Sequence, residues 1–471
     1  MKKFMLICAP VSSRSGYGAH ARDLVWSFIE HDKYDIKIQD VAWGDCPRNA
    51  LDKNNTEDKK ILDCFLTNPQ LDRQPDIYVD IRIPNEFQTW GKFNIGITAG
   101  VETTAVSGKW LECCNKMDLV IVPSEHSKNG FVSSVYDKMQ SLPDGSQQKV
   151  GELKLEKPME VLFEGANEDI YKPLTKKEIK SSKVCNDINK LVKEDRAFLF
   201  LGQWTKGGFG EDRKDISNLI KLFYEAFANV DDAPALIMKT NGATYSVLDN
   251  EDCLKKIKKI KSMFPKDWKL PNVYLLHGSL SDDEVNELYN HPKLISMVSL
   301  THGEGFGRPL LEATMAGLHV MASGWSGQLD FLHKDKSLLL PGEMKQIPRS
   351  VVWKDILIPE SQWFVVSDSH VHNAFKILNE QHINFRNKGK ELTKENRDKF
   401  TLSKMTEKLD EIMKNYLKDT PQQVSLNLPK LKKVDMSEQP TNKKSVDKEL
   451  SELPSLKLPK LKSTSKNEVS V

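Results

Sequence analysis

The chain has 471 residues, enough for two or three domains at roughly 100 to 200 residues each, and its 39% hydrophobic and 28% charged residues are the balance of an ordinary globular protein. Lys and Arg number 68 against 66 Asp and Glu, a formal charge of +2, so no overall field directs the molecule to nucleic acid or to an anionic membrane. No apolar stretch reaches the roughly 18 residues of a membrane span. Phe4–Ala9 after two lysines is too short for a signal segment, so a cytoplasmic protein is expected. The seven cysteines are odd in number and scattered without a C-x-x-C pair, which indicates reduced thiols, no disulfide framework and no structural metal.

In chain order, the apolar run Phe4–Ala9 predicts a strand, Ser12–Gly18 a polar glycine-bearing turn, and Ala19–Glu30 a helix. Ile36–Val41, Ile77–Ile81, Phe93–Ile97 and Leu119–Val122 follow as strand-like runs separated by helical or loop segments, the pattern of a parallel sheet with crossovers. Gly165–Pro173 reads as a connector. A second series then begins: Ala197–Leu201, Ala235–Met238, Val273–Leu276, Leu294–Leu300 and Leu318–Ala322 as strands, alternating with helices such as Asn218–Ala228 and Asp282–Tyr289. The fold class is therefore α/β, with two doubly wound, Rossmann-like domains over 1–170 and 171–399, and a ligand cleft at the carboxyl ends of their strands.

From about Gln422 the composition changes. Residues 424–471 lack aromatics and are rich in Lys, Ser and Pro, which predicts a disordered tail over 422–471. It holds a duplication, Ser425–Lys432 and Ser455–Lys462, identical at seven of eight positions. Two copies of a weak motif would bind a protein partner by avidity. Deleting residues 422–471 is expected to leave the melting temperature unchanged; a clear drop would mean that the tail packs on the body.

The stretch richest in chemistry is His302–Gly317. It follows a strand, is dense in glycine, and turns helical with Pro309 in the first turn. Exposed N–H groups of Gly305, Phe306 and Gly307 would sit at a helix N-terminus, where phosphate or sugar oxygens bind readily. Glu304 in the loop and Glu312 two turns on could meet hydroxyls at separate ends of one ligand. Glu102 closes a strand within the expected cleft, where it could orient a sugar. His126, His277 and His302 also follow strands, but a lone histidine is more often a hydrogen-bonded structural residue.

Glu304-Gly-Phe-Gly-Arg-Pro-Leu-Leu-Glu312-Ala resembles the E-x7-E signature of retaining GT-B glycosyltransferases, family GT4. Gly317–Asp330, Gly202–Ile216 and Asp118–Ser124 also fit that family, and Gly16-Tyr-Gly18 resembles its glycine loop near the donor phosphates. Phe400–Leu417 looks like the helix that crosses back onto the first domain, so the similarity spans roughly residues 1 to 417.

The resemblance implies transfer of a sugar from a nucleotide-diphosphate sugar to an acceptor hydroxyl, with retention and without a metal or other cofactor. The acceptor could be a saccharide, a lipid-linked saccharide or another hydroxyl compound. Arg213 and Lys214 would neutralise the diphosphate, Glu312 would hold the ribose hydroxyls and Glu304 the transferred sugar. Many members carry Arg where this chain has Gln203, which leaves Lys206 and Lys239 as further candidate cations. Two other readings compete. Gly16–Ala21 fits G-x-G-x-x-A, with Asp40 about twenty residues on, as an NAD-dependent oxidoreductase would need, but six residues separate it from the strand. The other is a non-catalytic carbohydrate-binding or assembly protein on the same shell.

Overall fold

The computed structural model describes residues 2–418 apart from positions 69, 144, 206 and 243. The tail with its two repeats, and Lys206, lie outside the described residues. Two six-stranded sheets organise the chain. In spatial order the first runs Tyr34–Asp40, Lys3–Ala9, Ile77–Ile81, Phe93–Ile97, Leu119–Val122 and Met159–Val161. The second runs Val273–Leu276, Ala235–Asn241, Ala197–Gln203, Leu294–Ser299, Val320–Ser323 and Leu338–Leu340. Every neighbouring pair within both is parallel. Ile77–Ile81, Leu119–Val122 and Leu294–Ser299 are buried at every residue, Asp80, Ser296 and Ser299 included, because helices cover both faces of a parallel sheet; this is why they read as mostly apolar runs.

Strand order reverses once in each sheet, between Lys3–Ala9 and Ile77–Ile81 in the first and between Ala197–Gln203 and Leu294–Ser299 in the second. At such a reversal the flanking connections depart to opposite faces and leave a crevice beyond the carboxyl ends of the strands. In the second lobe the two loops leaving that crevice carry Arg213-Lys214 and Thr301–Gly307.

The chain passes twice between the lobes, side by side. Ala166 donates to Phe400 O at 3.1 Å and accepts from Leu402 N at 2.9 Å. A Cβ on Gly165 would lie 2.6 Å from Thr401 O, so the two crossings fit only with glycine there. Thr401 then caps the helix Leu402–Tyr416, whose Leu402, Met405, Leu409, Ile412 and Met413 enter the core of the first lobe.

Boundaries move where caps decide them. The first helix is Gly16–Glu30, three residues longer than its apolar periodicity, because Ser15 accepts from Gly18 N and starts the helix before the first apolar residue. Two antiparallel hairpins, Tyr136–Ser141 with Gln147–Leu153 and Gly342–Gln346 with Gln362–Val366, were hidden by strands that are short or polar. All seven cysteines are free thiols. Among the described residues no helix is long and apolar enough to cross a membrane.

Candidate active site

The crevice of the second sheet gathers four charged side chains. His302 N donates to Arg213 O at 2.8 Å, and Thr301 Oγ1 donates to the same carbonyl at 3.3 Å, so the two loops are fastened together at Arg213. Arg213 Nη1 then donates to Gly303 O at 2.9 Å and to Glu304 Oε2 at 3.1 Å, while its Nε faces Glu102 Oε1 at 3.5 Å. The Lys214 ammonium bonds the other carboxylate oxygen of Glu304. Burial alone would raise the Glu304 pKa, but Lys214 and Arg213 outweigh it and hold the carboxyl at about 2. For Lys214 burial wins and lowers the pKa despite Glu304; for Arg213, Glu102 and Glu304 outweigh burial and keep it above the ordinary value. Glu304 is thus ionised and charge-compensated.

The glycines of the adjoining loop are required by the other lobe. A Cβ on Gly303 would stand 2.0 Å from Glu102 O, and one on Gly305 would stand 1.9 Å from Ala99 O. Gly100 on the facing loop has φ +91 and would bring a Cβ to 2.2 Å from Ser127 Oγ. Ser124 and Ser127 of the first lobe both donate to Gly305 O, at 2.5 and 3.3 Å. Gly305, Phe306 and Gly307 are therefore buried where solvent exposure was expected, with the Phe306 ring packed on Phe331 and Phe400. Among the described residues none accepts a hydrogen bond from the N–H groups of these three positions.

Glu312 lies one turn along the next helix, Arg308–Met315, in a second polar cluster. Arg308 Nε donates to Glu312 Oε1 at 2.8 Å, and the same guanidinium pairs with Asp23 on the Gly16–Glu30 helix of the first lobe. Burial pushes the Glu312 carboxyl up to about 7, against the pull of Arg308. Glu164, just before the crossing at Gly165, is pushed up to about 8 by burial, and it feels Arg308 and Asp23 as well as Glu312 and Glu304. The two clusters meet at this carboxyl.

No family model matches the chain, and no curated protein matches it. Solved structures do. HepE from Anabaena in complex with UDP and glucose superposes with a TM-score of 0.56 at 13% identity, covering 88% of this chain and 100% of that one. Sucrose-phosphate synthase from Thermosynechococcus elongatus gives 0.58 at 12% identity over 88% and 99% of the two chains. A glycosyltransferase from Rickettsia africae gives 0.56 at 13% identity over 89% and 99%. The fold is GT-B.

Within this GT-B frame the expected residues divide into groups. Glu304, Arg213, Lys214 and Glu102 converge in one cluster, and Gly305–Gly307 adjoin it. Glu312 stands in the neighbouring cluster. Gly16 and Gly18 form the first turn of a helix: Gly16 faces open space, whereas a Cβ on Gly18 would collide with Ser13 O at 2.1 Å. Between them Tyr17 bonds Thr98 Oγ1 at 2.8 Å and accepts from Ala99 N at 3.0 Å, which ties this helix to the loop facing Gly305.

Asp40 does not stand free for a dinucleotide ribose. It accepts from Ser12 N at 3.1 Å and pairs with Arg48 at 2.7 Å. His302 Nδ1 bonds Phe364 O at 2.8 Å and His277 Nε2 bonds Asp249 Oδ2 at 2.8 Å, as structural histidines do. The half-buried His126 packs against Trp325. Lys239, two residues before the end of its strand, donates to Gly278 O at 2.7 Å, and burial lowers its pKa to about 8. Asp23 and Glu164 belong to no motif and gave no signal in the sequence; Ser124 closes the stretch Asp118–Ser124 that resembles the family, but its bond to Gly305 O was not legible.

Proposed function

We propose that this chain is a cytoplasmic, metal-independent, retaining glycosyltransferase of the GT4 type, which moves a sugar from a nucleoside-diphosphate sugar to an acceptor hydroxyl. The observation that carries the reading is the convergence of Arg213 and Lys214 on Glu304 at the reversal point of the second sheet, opposite Glu102 of the first lobe. A departing nucleoside diphosphate gains negative charge, and a guanidinium beside an ammonium in a buried site stabilises that charge where it develops. The free N–H groups of Gly305–Gly307 add donors for phosphate or sugar oxygens. Glu304, ionised and fixed by two cations, accepts from hydroxyls of the transferred sugar, and Glu312 accepts from the ribose. The acceptor enters from the first lobe beside Glu102. HepE has been solved with UDP-glucose, which makes UDP and its sugars the first donors to try.

Saturable binding of UDP, with UDP released from one of the common UDP-sugars, tests the reading. Saturable binding without turnover over a range of acceptors favours the non-catalytic carbohydrate-binding alternative. Glu312→Ala is expected to weaken UDP binding by about 1.5 to 3 kcal/mol, the scale of lost charged hydrogen bonds. Unchanged affinity in a calorimetric titration removes Glu312 from the ribose site.

A further inference from the structure

We propose that Asp23 and Arg308 are positioning residues that make the hold of Glu312 on the donor depend on contact between the lobes. The inference rests on the reading of Glu312 as the ribose ligand. One guanidinium spans two carboxylates carried by different lobes: Glu312, one turn further along its own helix, and Asp23 on the first helix of the chain. All three side chains are largely buried, at 12% exposure for Arg308, 19% for Asp23 and 8% for Glu312. A planar fork of donors with two acid partners has one orientation, so Asp23 fixes the plane of the guanidinium and, through it, the rotamer of Glu312.

Parting of the lobes removes Asp23 and leaves Arg308 with a single partner and freedom to rotate. Closure therefore turns a loosely held carboxylate into a preorganised one. The surroundings sharpen this dependence. Glu164 and Asp282 add acidic groups around the guanidinium, and the buried His20 beside it is held neutral by desolvation, so Arg308 is the cation about which Asp23, Glu312 and the protonated carboxyl of Glu164 are arranged. Arg22 points elsewhere, donating to Val11 O and Ser13 O, both at 2.9 Å. The arrangement differs from that of Glu304, whose two cations come from its own lobe.

Asp23→Asn keeps the volume and removes the charge. It is expected to weaken UDP binding about tenfold and to raise the donor KM while leaving kcat nearly constant, with Asp23→Glu recovering part of the loss. In a Glu312→Ala background the same substitution is expected to have no further effect on UDP affinity. An equal loss in both backgrounds, or unchanged affinity in the first, overturns the proposal. Failure of the unmodified protein to bind UDP or any other nucleoside diphosphate would count against the donor reading alone. The bridge is then decided by hydrogen exchange of the ligand-free protein. Faster exchange in both Gly16–Glu30 and Arg308–Met315 on Asp23→Asn supports the tie between lobes, and unchanged exchange in the second helix refutes it.

Discussion

Replacing Arg213 and Lys214 together with alanine is expected to lower donor turnover more than about a hundredfold, the loss that follows removal of charges aimed at a departing diphosphate. The same change strands Glu304, whose side chain is 10% exposed and whose carboxylate is compensated by those two cations. An uncompensated buried charge costs about 3 to 5 kcal/mol, so the double variant is expected to melt earlier as well. Adding Glu304→Gln removes the stranded charge. The triple variant should therefore regain most of the lost melting temperature and none of the turnover, which separates folding from chemistry. Full UDP release by a folded double variant excludes both residues from the diphosphate site.

Both sheets could be read in the sequence because their strands are buried on two faces and so appear as largely apolar runs, Leu119–Val122 most plainly, while Asp80 interrupts Ile77–Ile81. The meeting of Arg213 with Glu304 was legible only through resemblance to a family, since 91 residues separate the pair. What stayed hidden has one physical character: contacts between lobes. Ser124 reaches Gly305 O across 181 positions and Arg308 reaches Asp23 across 285, and such pairs leave no periodic trace. The glycines show the same limit. Their density announced a tight loop, but the sequence suggested exposed N–H groups, whereas Gly303 and Gly305 are glycine because backbone of the first lobe lies where their Cβ atoms would be. Sequence also placed Gly16–Gly18 in a turn, since the cap that starts the helix there is a single serine hydroxyl.

Glu164→Gln is expected to make the protein more stable at pH 8 and to change it little at pH 5. In the folded chain burial raises this carboxyl to about 8 from an ordinary 4.5. Between those values the native state keeps a proton that the unfolded chain gives up, so the contribution of Glu164 to stability falls as pH rises through this window. A shift of this size corresponds to a penalty of about 5 kcal/mol at the upper end, and glutamine, which cannot ionise, escapes it. Other groups titrate over the same range with both signs: burial raises Glu312 and Asp215 to about 7, while it lowers the neutral His20 to about 3 and His126 to about 4. The slope of the unmodified protein is therefore a mixture, and the difference between variant and parent isolates one group. Glu304, held at about 2, is ionised throughout and adds no slope. Melting curves of the two proteins are expected to diverge by several degrees between pH 5 and pH 8, and curves that stay parallel would show that Glu164 ionises as readily in the folded chain as in the unfolded one. A neutral carboxyl at this point also keeps one negative charge out of the cleft proposed to receive a diphosphate, which links the stability of the ligand-free protein to the charge of the proposed ligand.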